Sequence, residues 1–125
     1  VAFTGWISGE EKVAAYHASD VVWVPSTYLD AFPRSALEAS VSGKPVIATV
    51  FGGASELVQE GKTGYVVNPL NSQEIADKTL DLLRNPEKAE AFGKAGRERV
   101  KTEFDIDDKV RQLISYYREL IEKKQ

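Results

Sequence analysis

The spacing of apolar residues along this chain changes near residue 70. Before that point, short apolar runs at residues 1–4, 21–24, 45–49 and 64–67 alternate with stretches of helical spacing. Such alternation predicts successive βα units and hence a parallel sheet. The run Val21-Val22-Trp23-Val24 is continuous and rich in β-branched residues, which predicts a central strand buried on both faces, ended by Pro25 and Ser26. Ser8 and Glu11 stand at capping-box spacing, so a helix is predicted from there to about Ser19. Pro33 suits the first position of a helix, where its missing N–H does no harm, and Gly43 suits a left-handed helix end. Together they predict a helix over 33–42. Gly52 and Gly53 make a tight connection into a short helix over 54–59, closed by Gly61.

After residue 70 the pattern is purely helical. Asn71 and Glu74 repeat the capping-box spacing ahead of Ile75, Leu80, Leu82 and Leu83, and Pro86 opens a second helix. Asp105 is placed to cap a third, in which Ile106, Val110, Leu113, Ile114, Tyr117, Leu120 and Ile121 follow the i, i+3, i+4 rule. This tail is expected to pack and not to catalyse. The chain therefore divides into βα units over 1–70 and C-terminal helices over 71–125 of one domain.

Composition narrows the function. A length of 125 residues suits one core, and 42% hydrophobic with 28% charged residues excludes long disorder and fibrous repeats. The net charge of −3, with both signs mixed along the chain, offers no basic stripe for a phosphate backbone, so no nucleic-acid partner is expected. The absence of cysteine excludes disulfides and thiolate metal sites. No run approaches the ~20 apolar residues that span a bilayer. With neither initiator methionine nor signal-like segment at Val1, the chain is expected to be part of a longer cytoplasmic polypeptide.

In open α/β sheets ligands bind beyond the carboxyl ends of the strands, which directs attention to the loops after Val24 and Thr49. The first, residues 25–32, delivers hydroxyls and the Asp30 carboxylate into a helix start, whose free N–H groups and partial positive charge favour a diphosphate or a polar sugar. Glu38 lies eight residues beyond Asp30, on the second turn of the predicted helix. An ionised carboxylate there can accept from both hydroxyls of a vicinal diol such as a ribose. The second loop again sets glycines, Gly52 and Gly53, before a helix start, where backbone can approach a ligand closely.

Seven segments in register carry a family resemblance: Phe3-x-Gly5, Val24-Pro25-Ser26, Asp30-x-Phe32, Leu37-Glu38-Ala39, Gly43-x-Pro45-Val46-Ile47-Ala48-Thr49, Gly52-Gly53-x-x-Glu56 and Gly64-Tyr65-Val66-Val67. In order and spacing they resemble the C-terminal domain of family-four glycosyltransferases. The resemblance implies a GT-B architecture of two facing Rossmann-like domains, with a nucleoside-diphosphate sugar held by the C-terminal one and the acceptor by an N-terminal one. It further implies transfer with retention and without a metal or other cofactor. Glu38 becomes the ribose partner and Asp30 the catalytic-side carboxylate near the donor sugar, one methylene shorter than the family's usual Glu. Ala31 and Phe32 would offer N–H groups to the sugar, Trp6 and Ile7 main chain to the base, and Leu37 a wall beside ribose and phosphate. Ser26, Pro33, Arg34, Gly52 and Gly53 complete the expected binding set. Pro33 stands where the family often has Gly and removes one N–H, and Arg34 would restore positive potential.

The family's domain begins two strands earlier. In a 3-2-1-4-5-6 sheet that pair would lie between this chain's first and second predicted strands. A gap, weak donor binding, an exposed or rearranged edge open to strand exchange between copies, and a fragment inactive alone are therefore expected. A sugar-nucleotide epimerase of the same fold and a non-catalytic α/β module bound through its acidic tail are the alternatives. Structural readings stand beside the functional ones. Glu38 could be a solvated helix carboxylate, Asp30 could bond its own backbone, and the glycine pair could serve turn geometry alone. His17 is read as helix-end dipole compensation, Asp105-x-Asp107 as a helix cap, and Tyr116-Tyr117 as packing.

Overall fold

A computed structural model describes residues 1–123, so the last two positions of the predicted tail lie outside the described residues. Strands β1 (Val22–Val24), β2 (Val46–Thr49) and β3 (Gly64–Val67) form one parallel sheet in the order β1-β2-β3. Val22 pairs with Val46, and Val46 in turn with Gly64. Helices α1 (Gly9–Ala18), α2 (Arg34–Val41) and α3 (Ala54–Leu57) alternate with the strands; α4 (Ser72–Arg84), α5 (Pro86–Glu103) and α6 (Ile106–Glu122) follow.

β2 is buried along its whole length because the side-chain period of two sends alternate residues into two separate cores. On one face Val24, Val46 and Ala48 meet Ala36 and Ala39 of α2, Ala54 and Leu57 of α3, and Val100 of α5. On the other, Ile47, Tyr65 and Val67 meet Leu82 of α4 and Phe92 of α5. Fully buried aliphatics such as Ile47, Leu57 and Leu82 each contribute about 1.5–3 kcal/mol by leaving water. Helix α2 ends as Gly43 predicts: at φ +74° it lets Lys44 N–H reach Ala39 O at 3.0 Å and its own N–H reach Ser40 O at 2.9 Å. Pro86 occupies the first turn of α5, and Asp105 caps α6 by accepting from the Asp107 and Asp108 N–H groups at 3.0 and 3.1 Å.

Several expectations are corrected. Residues 1–4 form no strand; Val1 and Phe3 are exposed and residues 1–4 do not join the sheet. With that strand unformed, the sheet has no internal gap. β1 is an edge strand and not a central one, and the indole of Trp23 is half-exposed, donating to Thr79 Oγ1 at 3.0 Å. Ser8 makes no capping bond, because Gly9 enters α1 at φ +54°, off the helical region that a capping box needs. Pro33 is the N-cap of α2, one place before the helix, and α3 stops at Leu57 because Val58 turns extended and Gln59 N–H donates to Thr63 Oγ1. Asn71 accepts from Glu74 N–H as a cap, whereas Glu74 reaches Asn68 N–H, outside the box. The largest correction concerns the tail. α6 buries none of its residues, and its apolar stripe, with Ile106 at 71% and Leu113 at 50%, faces outward. An amphipathic period sets where a helix is apolar, not that a neighbour lies against it. The Tyr116 and Tyr117 rings accordingly meet only each other, tilted with centroids 6.4 Å apart, and remain exposed.

Candidate functional site

The loops after β1 and β2 meet at the carboxyl edge of the sheet and lock together through main chain. Asp30 and Gly52 form a parallel bridge, and Gly53 N–H donates to Asp30 O at 2.8 Å. A Cβ on Gly52 would lie 2.0 Å from Asp30 O, and one on Gly53 would lie 1.9 Å from Ala31 O. No side chain fits at either position, and Gly52 also takes φ +80°. Loop packing by itself thus accounts for the glycine pair. Thr49 adds a second stitch, its buried hydroxyl donating to Ser26 O at 2.8 Å.

Asp30 bonds its own backbone: Oδ1 accepts from Phe32 N–H at 3.0 Å, the Asx-turn arrangement. One of the two N–H groups expected to face a sugar is therefore taken up by the neighbouring carboxylate. The Phe32 ring packs on Phe104 with centroids 5.4 Å apart, and Pro33 is buried behind it. Arg99 completes this support by donating to the carbonyls of Glu56 and Leu57 at 2.8 and 3.1 Å and lying over Phe104. These contacts fix where α2 starts.

One turn into α2, Glu38 is half-buried with both carboxylate oxygens engaged. Lys12 Nζ donates to Oε1 at 2.8 Å, and the Tyr16 hydroxyl donates to Oε2 at 3.1 Å. The Lys12 hydrogen bond holds the Glu38 carboxyl below the usual glutamate range against the opposing effect of burial, helped by the Tyr16 bond and the charge of Arg34. Burial, followed by the bond to Glu38, pushes the Tyr16 phenol up. Glu38 is thus an ionised, oriented carboxylate and not a freely solvated one. It borders an open groove of about 790 Å³ between α1 and α2, walled by Val13, Leu37 and Val41.

Lys12 and Tyr16 are absent from the residues read as functional in the sequence. The available signal was their i, i+4 spacing on a predicted helix, which puts both on one face. Ile7 lies in an adjoining groove that shares Lys12 and Tyr16 with it, so Ile7, Leu37 and Glu38 gather around α1. Trp6, 95% exposed, packs on nothing. Asp30, Ala31, Phe32, Gly52 and Gly53 gather at the locked loops instead, with Arg34 exposed at the start of α2. Among the described residues no cluster of acids and histidine is arranged to hold a metal, and no helix is long and apolar enough to cross a membrane.

Parallel strands with helices starting at their carboxyl ends, and two loops joined there, place the chain in the Rossmann-like class, and the solved structures it matches are GT-B glycosyltransferases. Sucrose-phosphate synthase from Thermosynechococcus elongatus superposes with a TM-score of 0.88 at 35% identity, over 98% of this chain and 30% of that one. HepE from Anabaena, solved in complex with UDP-glucose, superposes with a TM-score of 0.78 at 30% identity, over 84% of this chain and 29% of that one. The family model for glycosyl transferases group 1 matches residues 1–99, and the chain belongs to that family. Among curated relatives, the GDP-mannose-dependent alpha-(1-6)-phosphatidylinositol monomannoside mannosyltransferase of Mycobacterium tuberculosis is 36% identical over 124 residues, 94% of this chain and 32% of the relative. Sulfoquinovosyl transferase from Arabidopsis thaliana is 39% identical over 99 residues, 77% of this chain and 19% of the relative. The chain spans about a third or less of the length of these relatives.

Proposed function

We propose that this chain is the donor-binding part of a retaining glycosyltransferase, holding a nucleoside-diphosphate sugar across the carboxyl edge of its sheet. The observation that carries the reading is the ionised Glu38, fixed one turn into a helix whose start abuts the locked loops. Glu38 accepts from the vicinal hydroxyls of the ribose, with Leu37 beside them and the main chain of Trp6 and Ile7 toward the base. The start of α2 turns its partial positive charge to the diphosphate. Pro33 supplies no N–H there, and the Arg34 guanidinium adds the charge that compensates. Ser26, Gly52 and Gly53 shape the loop floor, and Asp30 with Ala31 and Phe32 borders the sugar.

In transfer, an acceptor hydroxyl bonds to the anomeric carbon as the bond to the diphosphate oxygen breaks, and the acceptor proton passes to the departing diphosphate. Preorganised dipoles at the α2 start stabilise the negative charge that develops on that leaving group, with no metal in the step. The UDP-glucose bound by HepE and the GDP-mannose named for the mycobacterial relative support a nucleoside-diphosphate sugar as the ligand class. The acceptor site belongs to the part of such enzymes that this chain does not match, so the chain alone is expected to bind donor and not to transfer it.

Isothermal titration of the protein with UDP, GDP and ADP, each free and as a sugar conjugate, tests the reading. One nucleotide is expected to bind, and E38A to weaken it by about tenfold or more, the worth of a hydrogen-bonded charged group. Failure of all three nucleotides to bind would remove the donor-binding role proposed for this chain; unchanged binding by E38A would remove the ribose role alone.

A further inference from the structure

We infer that Lys12 and Tyr16 are positioning residues that orient Glu38 for the nucleotide diol; this rests on the ribose role proposed for Glu38. Each oxygen of an ionised carboxylate carries two lone pairs, so the group accepts about four hydrogen bonds. Lys12 takes one position on Oε1 and Tyr16 one on Oε2. A lone pair on each oxygen is left for a donor, which is the pair that two adjacent hydroxyls need at once. Without these partners the carboxylate would turn freely about its terminal bond, a broad rotor with no strongly preferred angle. Two donors from one helix face remove that freedom before the ligand arrives, and preorganisation of this kind strengthens binding by lowering its ordering cost.

The two donors do different things. The Lys12 ammonium keeps the carboxylate charged, while the Tyr16 phenol, held by packing against the sheet core, sets the plane. α1 buries none of its own residues, and this polar clip ties it to α2. Trp6 and Ile7 lead directly into α1. The clip therefore also sets where Ile7, which shares a groove with Lys12 and Tyr16, stands relative to the carboxylate assigned to the ribose.

The test compares ribose and dideoxyribose ligands. The protein and its K12M, Y16F and K12R variants are titrated with UDP, GDP and ADP and with their 2′,3′-dideoxy counterparts. The unsubstituted protein is expected to prefer the ribose form by about tenfold or more. K12M and Y16F should bring that preference to within about twofold while dideoxy affinity holds, and K12R, which keeps a charged donor, should retain most of it. A merely structural role would weaken both ligand forms alike, and that result overturns the inference. So does a preference that survives intact in K12M and Y16F, which leaves Glu38 in its ribose role. No preference in the unsubstituted protein removes the Glu38 role itself, and no binding at all removes the proposed function; either result takes this inference with it.

Discussion

A methyl group added at Gly53 would sit 1.9 Å from the Ala31 carbonyl oxygen, and one at Gly52 would sit 2.0 Å from that of Asp30. In both cases the obstacle is backbone, which cannot swing aside as a flexible side chain can. G53A is therefore expected to destabilise the fold by about 1–3 kcal/mol through overpacking, read as a lower urea midpoint at constant slope. An unchanged midpoint would show that the loops part at little cost. The glycines were legible in the sequence as a tight connection. Their partner was not, because the contact crosses some twenty positions of chain and leaves no local pattern. Asp30 illustrates the opposite case. Its carboxylate satisfies Phe32 N–H two residues on, the short-range habit of an Asp in a turn, and that alternative could be read from its place before a helix.

At the scale of elements, α1 stands out as the helix held by side-chain polarity more than by burial. The groups facing Glu38 are Lys12, Tyr16 and Arg34, and the first of these dominates in holding the carboxyl below its ordinary value of 4.5. A depressed native value means that the pair's contribution is complete above the unfolded value and is lost as pH falls through the native one. Protection of the α1 amides, the exchange rate relative to the intrinsic rate at each pH, should thus hold from neutrality to about pH 5 and fall below pH 4.5. The K12M variant should show a smaller step, since only the Tyr16 bond and the Arg34 charge then act on Glu38, and an equal step in K12M would break the link to this pair. Strand and helix identity were largely legible. β2 combines β-branched residues with flanking Pro45 and the glycine pair, and α2 and α5 carry Pro33, Gly43 and Pro86 at their ends. Strand position was not. A continuous apolar run such as residues 21–24 reports burial potential, while its place at an edge depends on which other strands exist to pair with it.

For the whole molecule, stability resides in the two cores on either face of β2, and α6 contributes no buried residue to either. Ending the chain after Asp105 is expected to shift the unfolding free energy by less than about 1 kcal/mol, since removal of exposed groups has small effects. Phe104 must stay, because its ring supports Phe32 beneath the first loop. A loss of several kcal/mol in urea unfolding on removing α6 would mean that the helix packs in solution. The seven spaced segments made the family recognisable from residues alone, because binding loops and turns impose residue types at fixed offsets. The outward apolar stripe of α6 has no such imprint: the same i, i+4 spacing is written whether a helix meets its own domain or stands clear of it.

The joined loops at the carboxyl edge have one more consequence. Apart from the Thr49 hydroxyl, their meeting surface is main chain, so single-residue variation there has little to vary: substituents are excluded at Gly52 and Gly53, and the bridge at Asp30 is made by backbone. Retuning the shape of that rim means exchanging both segments as one cassette. Chimeras that graft a single segment from a relative would bring mismatched backbones face to face, whereas paired grafts would carry their own fit with them.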